Sequence, residues 1–183
     1  DQLFSCLTAW LAPILCFTAE EAWLIRYDLR ANCAREDSVH LRQFPNVPAN
    51  WRDDDLAEKW DKVRVVRRAI LGALELERAE KSIGSSLEAA PVVYLSDIYF
   101  NAVKGVEIAD IAIVSSVEIH SETGPVDAFR LPDIDDVAVV PKLSKGKKCE
   151  RCWKFFDHMS IVIPELCVRC EKAVKHHERV FTQ

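Results

Sequence analysis

Two short runs, Lys147-Lys-Cys-Glu-Arg-Cys-Trp-Lys154 and Cys167-Val-Arg-Cys170, decide how the final segment of the chain folds. Each is a Cys-x-x-Cys knuckle, and fourteen residues separate the two. Two residues between cysteines make a tight turn that aims both sulfurs at one centre. Two such turns supply four sulfurs in a tetrahedron, with Zn–S distances near ~2.3 Å. The spacing between knuckles falls one short of the commonest ribbon template. The pattern predicts Cys149, Cys152, Cys167 and Cys170 as the ligands of one zinc ion. Four protein ligands fill the coordination sphere, so the zinc is expected to be structural, with no catalytic position. A pair of disulfides and an iron–sulfur cluster are the other uses of this pattern. Lys147, Lys148, Arg151 and Arg169 flank the sulfurs and are expected to lower the thiol pKa values and offset the site's negative charge. So short a segment builds little core, so the metal is expected to hold most of it together. His158, His176 and His177 are competing ligands that four cysteines make unnecessary.

Upstream of the knuckles the charge changes sign. Residues 1–141 carry a net −10, and residues 142–183 a net +5. A basic tail on an acidic body fits a polyanionic partner at the tail, or a solvated basic face without one. Trp153, beside Cys152, is placed either to stack on an unpaired base or to pack over its own knuckle. Of 183 residues 49% are hydrophobic, which allows a true core. No apolar run reaches the roughly 18 residues of a membrane span, so no membrane partner is expected. Seven cysteines without a secretory leader point to a reducing, cytoplasmic setting. Cys6 and Cys16 read as core thiols, and Cys33 sits alone in a loop-like stretch. The only methionine is Met159, so the chain reads as a piece of a longer protein.

The remainder reads as helices followed by a small mixed unit. Leu3, Leu7, Trp10 or Leu11, and Ile14 recur at helical spacing up to Pro13, which should break the helix. Thr18 with Glu21 forms a capping-box pattern for a second helix carrying Trp23. Asp53, Asp54 and Asp55 then offer an N-cap and a favourable first-turn charge for a long helix. Its apolar stripe is Leu56, Trp60, Val63, Val66, Ile70 and Leu74, and its end is expected between Ala79 and Gly84. Arg64, Arg67, Arg68 and Arg78 share one broad face with Lys81 at its rim, either as an RNA-facing surface or paired with nearby glutamates. After Pro91 the pattern predicts strands at Val92–Leu95, Val117–Ile119 and Val137–Val140 and a short helix at Ile98–Val103, with Ala109–Val114 ambiguous. The expected organisation is mainly α: a helical bundle over 1–90, a small α+β unit over 91–143, and a zinc-ribbon-like module over 144–183.

Three stretches together resemble one family. LAPILCFTAEEAW, from Leu11 to Trp23, is similar to the start of the anticodon-binding helical domain of class I synthetases for isoleucine, valine, leucine and methionine. KSIGSSLEA, from Lys81 to Ala89, resembles the K-x-x-G-x-S-L-x-A stretch ending that domain in bacterial isoleucyl-tRNA synthetases. KKCERCWK with CVRC resembles their C-terminal zinc finger, a type shared with formamidopyrimidine-DNA glycosylases. The order of these stretches, with Trp60-Asp-Lys-Val-Arg64 between them, matches over nearly the whole chain, although Leu95–Val106 is shorter than in the family.

The resemblance implies a class I anticodon-binding helical bundle along the anticodon stem-loop of an isoleucine-accepting tRNA, with the zinc module adding contacts near the anticodon. It places Lys81, Gly84, Ser85 and Ser86 near the tRNA. It also implies a catalytic domain elsewhere in the parent chain, a monomer that uses ATP there for protein biosynthesis. The expected tRNA-facing set is Arg64, Arg67, Arg68, Arg78, Lys81, Gly84, Ser85, Ser86, Lys147, Lys148, Arg151, Trp153 and Arg169. Lys142-Leu-Ser-Lys-Gly146 looks like the ATP-binding KMSKS loop, but it lies on the linker and no nucleotide-binding βαβ unit accompanies it. The chain alone is therefore expected to be catalytically inactive. The alternatives are the zinc-finger tail of a DNA-repair glycosylase, whose N-terminal proline nucleophile on a β-rich domain is not matched by a helical start, and a structural interaction module.

Overall fold

The computed structural model describes residues 1–28 and 38–181, with side chains through residue 177. Cys33 lies outside the described residues. The chain divides into two compact units, residues 1–53 and 54–183.

In the first unit, α1 (Gln2–Leu11) and α2 (Cys16–Arg26) flank the turn that holds Pro13. The turn is tight: the Ile14 and Leu15 amides both donate to Leu11 O. It feeds directly into α2, whose N-cap is Leu15 rather than Thr18. Thr18 therefore sits within the first turn of the helix, and the capping-box reading of its position is corrected. Trp23 is buried, with Phe4 and Tyr27 rings against it and the Arg42 guanidinium 4.3 Å above its ring. The Glu20 carboxylate accepts from Ser38 Oγ and the Val39 amide, fixing the short 3₁₀ turn Val39–Leu41.

The second unit is built on α3 (Asp54–Ala79). Val63, Val66, Ile70 and Leu74 of the expected stripe are fully buried, joined by Ala69 and Ala73. Leu56 and Trp60 are 48% and 37% exposed, so the buried stripe begins at Val63. The helix ends at Ala79, before Gly84. The Ser82 amide donates to Glu77 O and the Lys81 amide to Arg78 O, which is the paired-bond C-terminal motif that places one residue in the left-handed region. Lys81 occupies it at φ +60°, where glycine is the usual residue.

α3 packs on a four-stranded sheet of β1 (Val92–Leu95), β2 (Glu118–His120), β3 (Phe129–Leu131) and β4 (Ile134–Val140), in the order β2-β1-β4-β3. β1 and β2 run parallel, joined through α4 (Asp97–Val103) and α5 (Ile108–Ile111), and the other pairs are antiparallel. The ambiguous Ala109–Val114 stretch resolves into a helical turn followed by a sharp bend. β3 carried no strand signal in the sequence: its three residues run straight into Pro132 and bulge between Arg130 and Leu131. The central strands bury Val93, Leu95, Val137 and Val139 against the α3 stripe. Gly72 sits where α3 meets the ring of Phe129: a Cβ there would lie 2.8 Å from Phe129 Cζ. The tail adds the two-stranded ribbon β5 (Lys147–Lys148) and β6 (Phe155–Phe156), then α6 (Val168–Phe181). Among the described residues no helix is long and apolar enough to cross a membrane.

Gly72→Ala should cost up to about 2 kcal/mol of stability, because moving the ring of Phe129 off the helix outweighs the roughly 1 kcal/mol that alanine gains over glycine inside a helix. Urea melting checks this, and combining it with Phe129→Leu should recover part of the loss, since the two side chains compete for one space.

Candidate metal centre and RNA interface

The four cysteines predicted as ligands converge. Their Sγ atoms all lie within 4.8 Å of one another, and Cys152 and Cys167 are 3.9 Å apart. A tetrahedral site with ~2.3 Å metal–sulfur bonds has S···S edges of about 3.8 Å. The donor set therefore fits a closed four-sulfur metal site. None of the six described cysteines is in a disulfide, and the tail histidines are not part of the cluster.

Local backbone chemistry builds each knuckle. In the first, the Cys149 amide donates to Lys154 O and the Trp153 amide to Cys149 O, with Trp153 in the left-handed region at φ +64°. Gly146 opens the ribbon at φ +90°, where a Cβ would lie 2.2 Å from Phe156 O. The second knuckle is the start of α6, with Cys167 immediately before the helix and Cys170 in its first turn. A helix N-terminus favours thiolates. Between the knuckles, buried Ser160 accepts from the Val162 and Ile163 amides and donates to the Glu171 carboxylate at 2.6 Å.

The thiols are unequal. Burial pushes Cys149 up, but the amides of Cys152, Cys167 and Arg151 outweigh it and bring the thiol down to about 6. Burial pushes Cys152 up to about 12 and also raises Cys167. Four thiolates at this spacing thus require a central cation. Arg151 Nη1 lies 3.8 Å from Cys170 Sγ, but the expected lowering of the thiols by basic neighbours is corrected: hydrogen bonds lower Cys149, and Cys152 and Cys167 are raised. Arg169 instead turns to Asp110 at 3.6 Å.

The remaining candidates are scattered over two surfaces. Lys147, Lys148, Arg151 and Trp153 surround the first knuckle and are exposed. The Trp153 indole N–H donates to Glu150 O at 3.0 Å, and Lys148 Nζ lies 5.8 Å from the ring centroid. The ring is thus tethered at the knuckle by one edge while 59% of the residue stays exposed. On α3 every arginine of the predicted face has a partner in the chain. Arg64 pairs with Asp61, Arg68 with Asp133 and Arg78 with Glu75, and Arg67 Nε donates to Ile111 O at 3.1 Å. In the 81–89 segment, Arg78 Nη2 donates to Ser86 Oγ at 2.8 Å, Ser85 Oγ caps the 3₁₀ turn Ser86–Glu88, and the Gly84 amide donates to the Glu88 carboxylate. Lys81 is exposed at the rim.

Sequence reasoning missed Asp110, Ser115 and Ser160. Asp110 binds Lys154 and Arg169, and the Lys154 ammonium holds its carboxyl below the usual carboxylate range against partial burial. Ser115 hydrogen-bonds the Phe155 amide. No sequence signal marks Asp110 and Ser115, because their partners are 28 or more residues away.

The family described as "Anticodon-binding domain of tRNA ligase" matches residues 2–94, half of the chain. The chain belongs to the anticodon-binding domain family of tRNA ligases. It is 52% identical over 177 residues to an isoleucine–tRNA ligase of Brucella abortus, covering 95% of the chain and 18% of the relative. It is 50% identical over 154 residues to that of Agrobacterium fabrum and 46% identical over 155 residues to that of Bartonella henselae, covering 84% of the chain and 15% of the relative in each case. The chain thus spans less than a fifth of these relatives' length. With this family on residues 2–94, the glycosylase alternative is not favoured.

Two expectations follow. Removing the metal with a chelator should unfold residues 147–177 while α3 and the sheet persist, because the tail's buried core is the cysteine cluster with Phe156, Met159 and Leu166. NMR would show collapsed tail signals beside intact signals from Val93 and Val139, and Cys170→Ser should do the same without chelator. Separately, Lys81→Gly should leave stability unchanged or raise it by up to about 1 kcal/mol by relieving the left-handed strain, as read by thermal melting.

Proposed function

We propose that this chain is the tRNA-binding, C-terminal part of an isoleucine–tRNA ligase. Its parent joins isoleucine to tRNA with ATP in a catalytic domain elsewhere in the chain, acting as a monomer in the cytoplasm. The observation that carries this reading is the four-sulfur cluster holding an exposed basic knuckle, in a chain whose family binds anticodons and whose relatives are isoleucine–tRNA ligases.

The function divides along the chain. In this reading α1, α2 and the α3 helix with the 81–89 segment follow the anticodon stem-loop, the sheet that packs on α3 is the support, and residues 144–183 are the metal module near the anticodon. The metal is zinc, one ion, held by Cys149, Cys152, Cys167 and Cys170. When bound it supplies the charge that lets all four thiols ionise and thereby fixes the fold of the tail. It does no chemistry on a substrate.

The protein's own groups do the binding. Lys147, Lys148 and Arg151 neutralise phosphates at the knuckle. Trp153, tethered through its indole N–H with its ring exposed, offers a stacking face for an unpaired base. On α3, Arg64, Arg68 and Arg78 hold exposed ion pairs that a phosphate can replace, since ion pairs in water are weak, and Arg67, bonded to Ile111 O, adds its charge to the same face. Arg78, bonded to Ser86, joins this face to Lys81, Gly84, Ser85 and Ser86. Arg169 contributes through the field of the tail, with its guanidinium shared with Asp110.

Nitrocellulose filter binding over a salt series tests the reading. An isoleucine-accepting tRNA should bind with an affinity that falls steeply with salt, and duplex DNA of equal length should bind more weakly. The double variant Lys147→Glu/Lys148→Glu should lose about tenfold or more and flatten the salt slope by about two phosphate contacts. Equal binding of both nucleic acids, or salt-independent binding, would overturn it.

A further inference from the structure

The metal module and the 81–89 segment do not touch through the cysteines, yet one side chain holds both. Ser115 is buried at 9% exposure. Its Oγ accepts from the Phe155 amide of the knuckle ribbon at 2.7 Å and donates to Leu87 O at 2.5 Å. Its own amide donates to Ala89 O at 3.1 Å. A hydroxyl used as donor and acceptor at once passes strain in either partner to the other, because losing one bond frees the group to rotate away from the second.

The element that presents Ser115 is held in place from several sides. Asp110, on α5, binds Lys154 between the knuckles and Arg169 within the second knuckle. Arg67 of α3 caps α5 through Ile111 O. α5 ends in the paired-bond motif, with the Val114 amide donating to Ala109 O and the Ile113 amide to Asp110 O. Ile113 takes the left-handed position at φ +57°, a conformation that β-branched residues rarely adopt, and its side chain is 57% exposed. Packing of that side chain does not impose the bend. The contacts on either side of it do, and they set where Ser115 stands.

We propose that Ser115 is a positioning residue that transmits the state of the four-cysteine site to the 84–89 segment, so that metal binding orders an RNA-facing stretch it does not contact. The functional half of this statement rests on the tRNA-binding reading above, and the coupling half does not. A second tie runs through the chain itself: the Ser144 amide donates to Glu88 O, and the Ala90 amide to Lys142 O. That tie stays intact when Ser115 is changed, so a Ser115 variant isolates the hydroxyl's share.

Amide hydrogen exchange on the full chain, with zinc and with a chelator, tests the coupling. In the native sequence chelation should speed exchange at Glu88, Ala89 and Ser115 by about tenfold or more, a coupling within the range seen between linked sites. In Ser115→Ala the zinc-loaded protein should already exchange fast at Glu88 and Ala89, and chelation should add little there while still exposing the knuckle amides. Ser115→Thr, which keeps the hydroxyl, should restore the native response. A native protein whose Glu88 and Ala89 amides ignore chelation, or a Ser115→Ala protein that responds as the native one does, sinks the proposal, and the first of these needs no variant to fold. tRNA affinity measured on the same samples judges the RNA reading separately. Weaker binding by Ser115→Ala at unchanged zinc content supports both. Absence of any tRNA binding by the native chain removes the functional half and leaves the coupling to be decided by exchange alone.

Discussion

Four sulfurs confined within 4.8 Å, three of them almost fully buried, form the centre of the tail's small core and make a donor set that a metal cation fits. Apolar packing contributes little beyond Phe156, Met159 and Leu166. The knuckle backbone, the left-handed Trp153 and the start of α6 all serve to bring thiols together. The same geometry leaves Lys147, Lys148, Arg151 and Trp153 on the outside, where a polyanion can reach them. The sulfur cluster and the surface charge are thus two faces of one device: the knuckles gather the thiols inward and leave the cations outside.

The larger part of residues 54–183 rests on a different interaction. The α3 stripe from Val63 to Leu74 and the central strands β1 and β4 bury one another, with Gly72 allowing Phe129 to lie close to the helix. α5 and the bend after it join this apolar core to the metal module through Asp110 and Ser115. The 81–89 segment lies at the meeting point, tied to α3 by Arg78 and Ser86 and to the bend by Leu87 and Ala89. A stretch with no regular strand and only a 3₁₀ turn is therefore fixed from two sides.

Much of the site could be read from the sequence because its signals are local. Cys149 and Cys152 lie three apart, as do Cys167 and Cys170, and such pairs carry their geometry with them. The α3 stripe and the strand at Val92–Leu95 likewise follow from spacing alone. The misses share a cause. Thr18 has the right neighbours for a cap, but the tight turn at Pro13 starts α2 earlier. Leu56 and Trp60 fit the stripe by period, yet remain well exposed. The α3 arginines form one face on a helical wheel, but Asp133 and Ile111, far along the chain, take two of them as partners.

By itself, then, the sequence determined which residues could ligate a metal, which helix would be long, and where charge would gather, because periodicity, knuckle spacing and net charge act over a few residues. The tertiary structure alone decided that Lys81 would end α3 in a left-handed conformation and that Ile113 would do the same for α5. It alone decided that Ser115 would stand between the ribbon and Leu87. The place of Ser115 depends on hydrogen bonds between groups 28 and 40 residues apart, and no local pattern encodes a partner that only folding brings within reach.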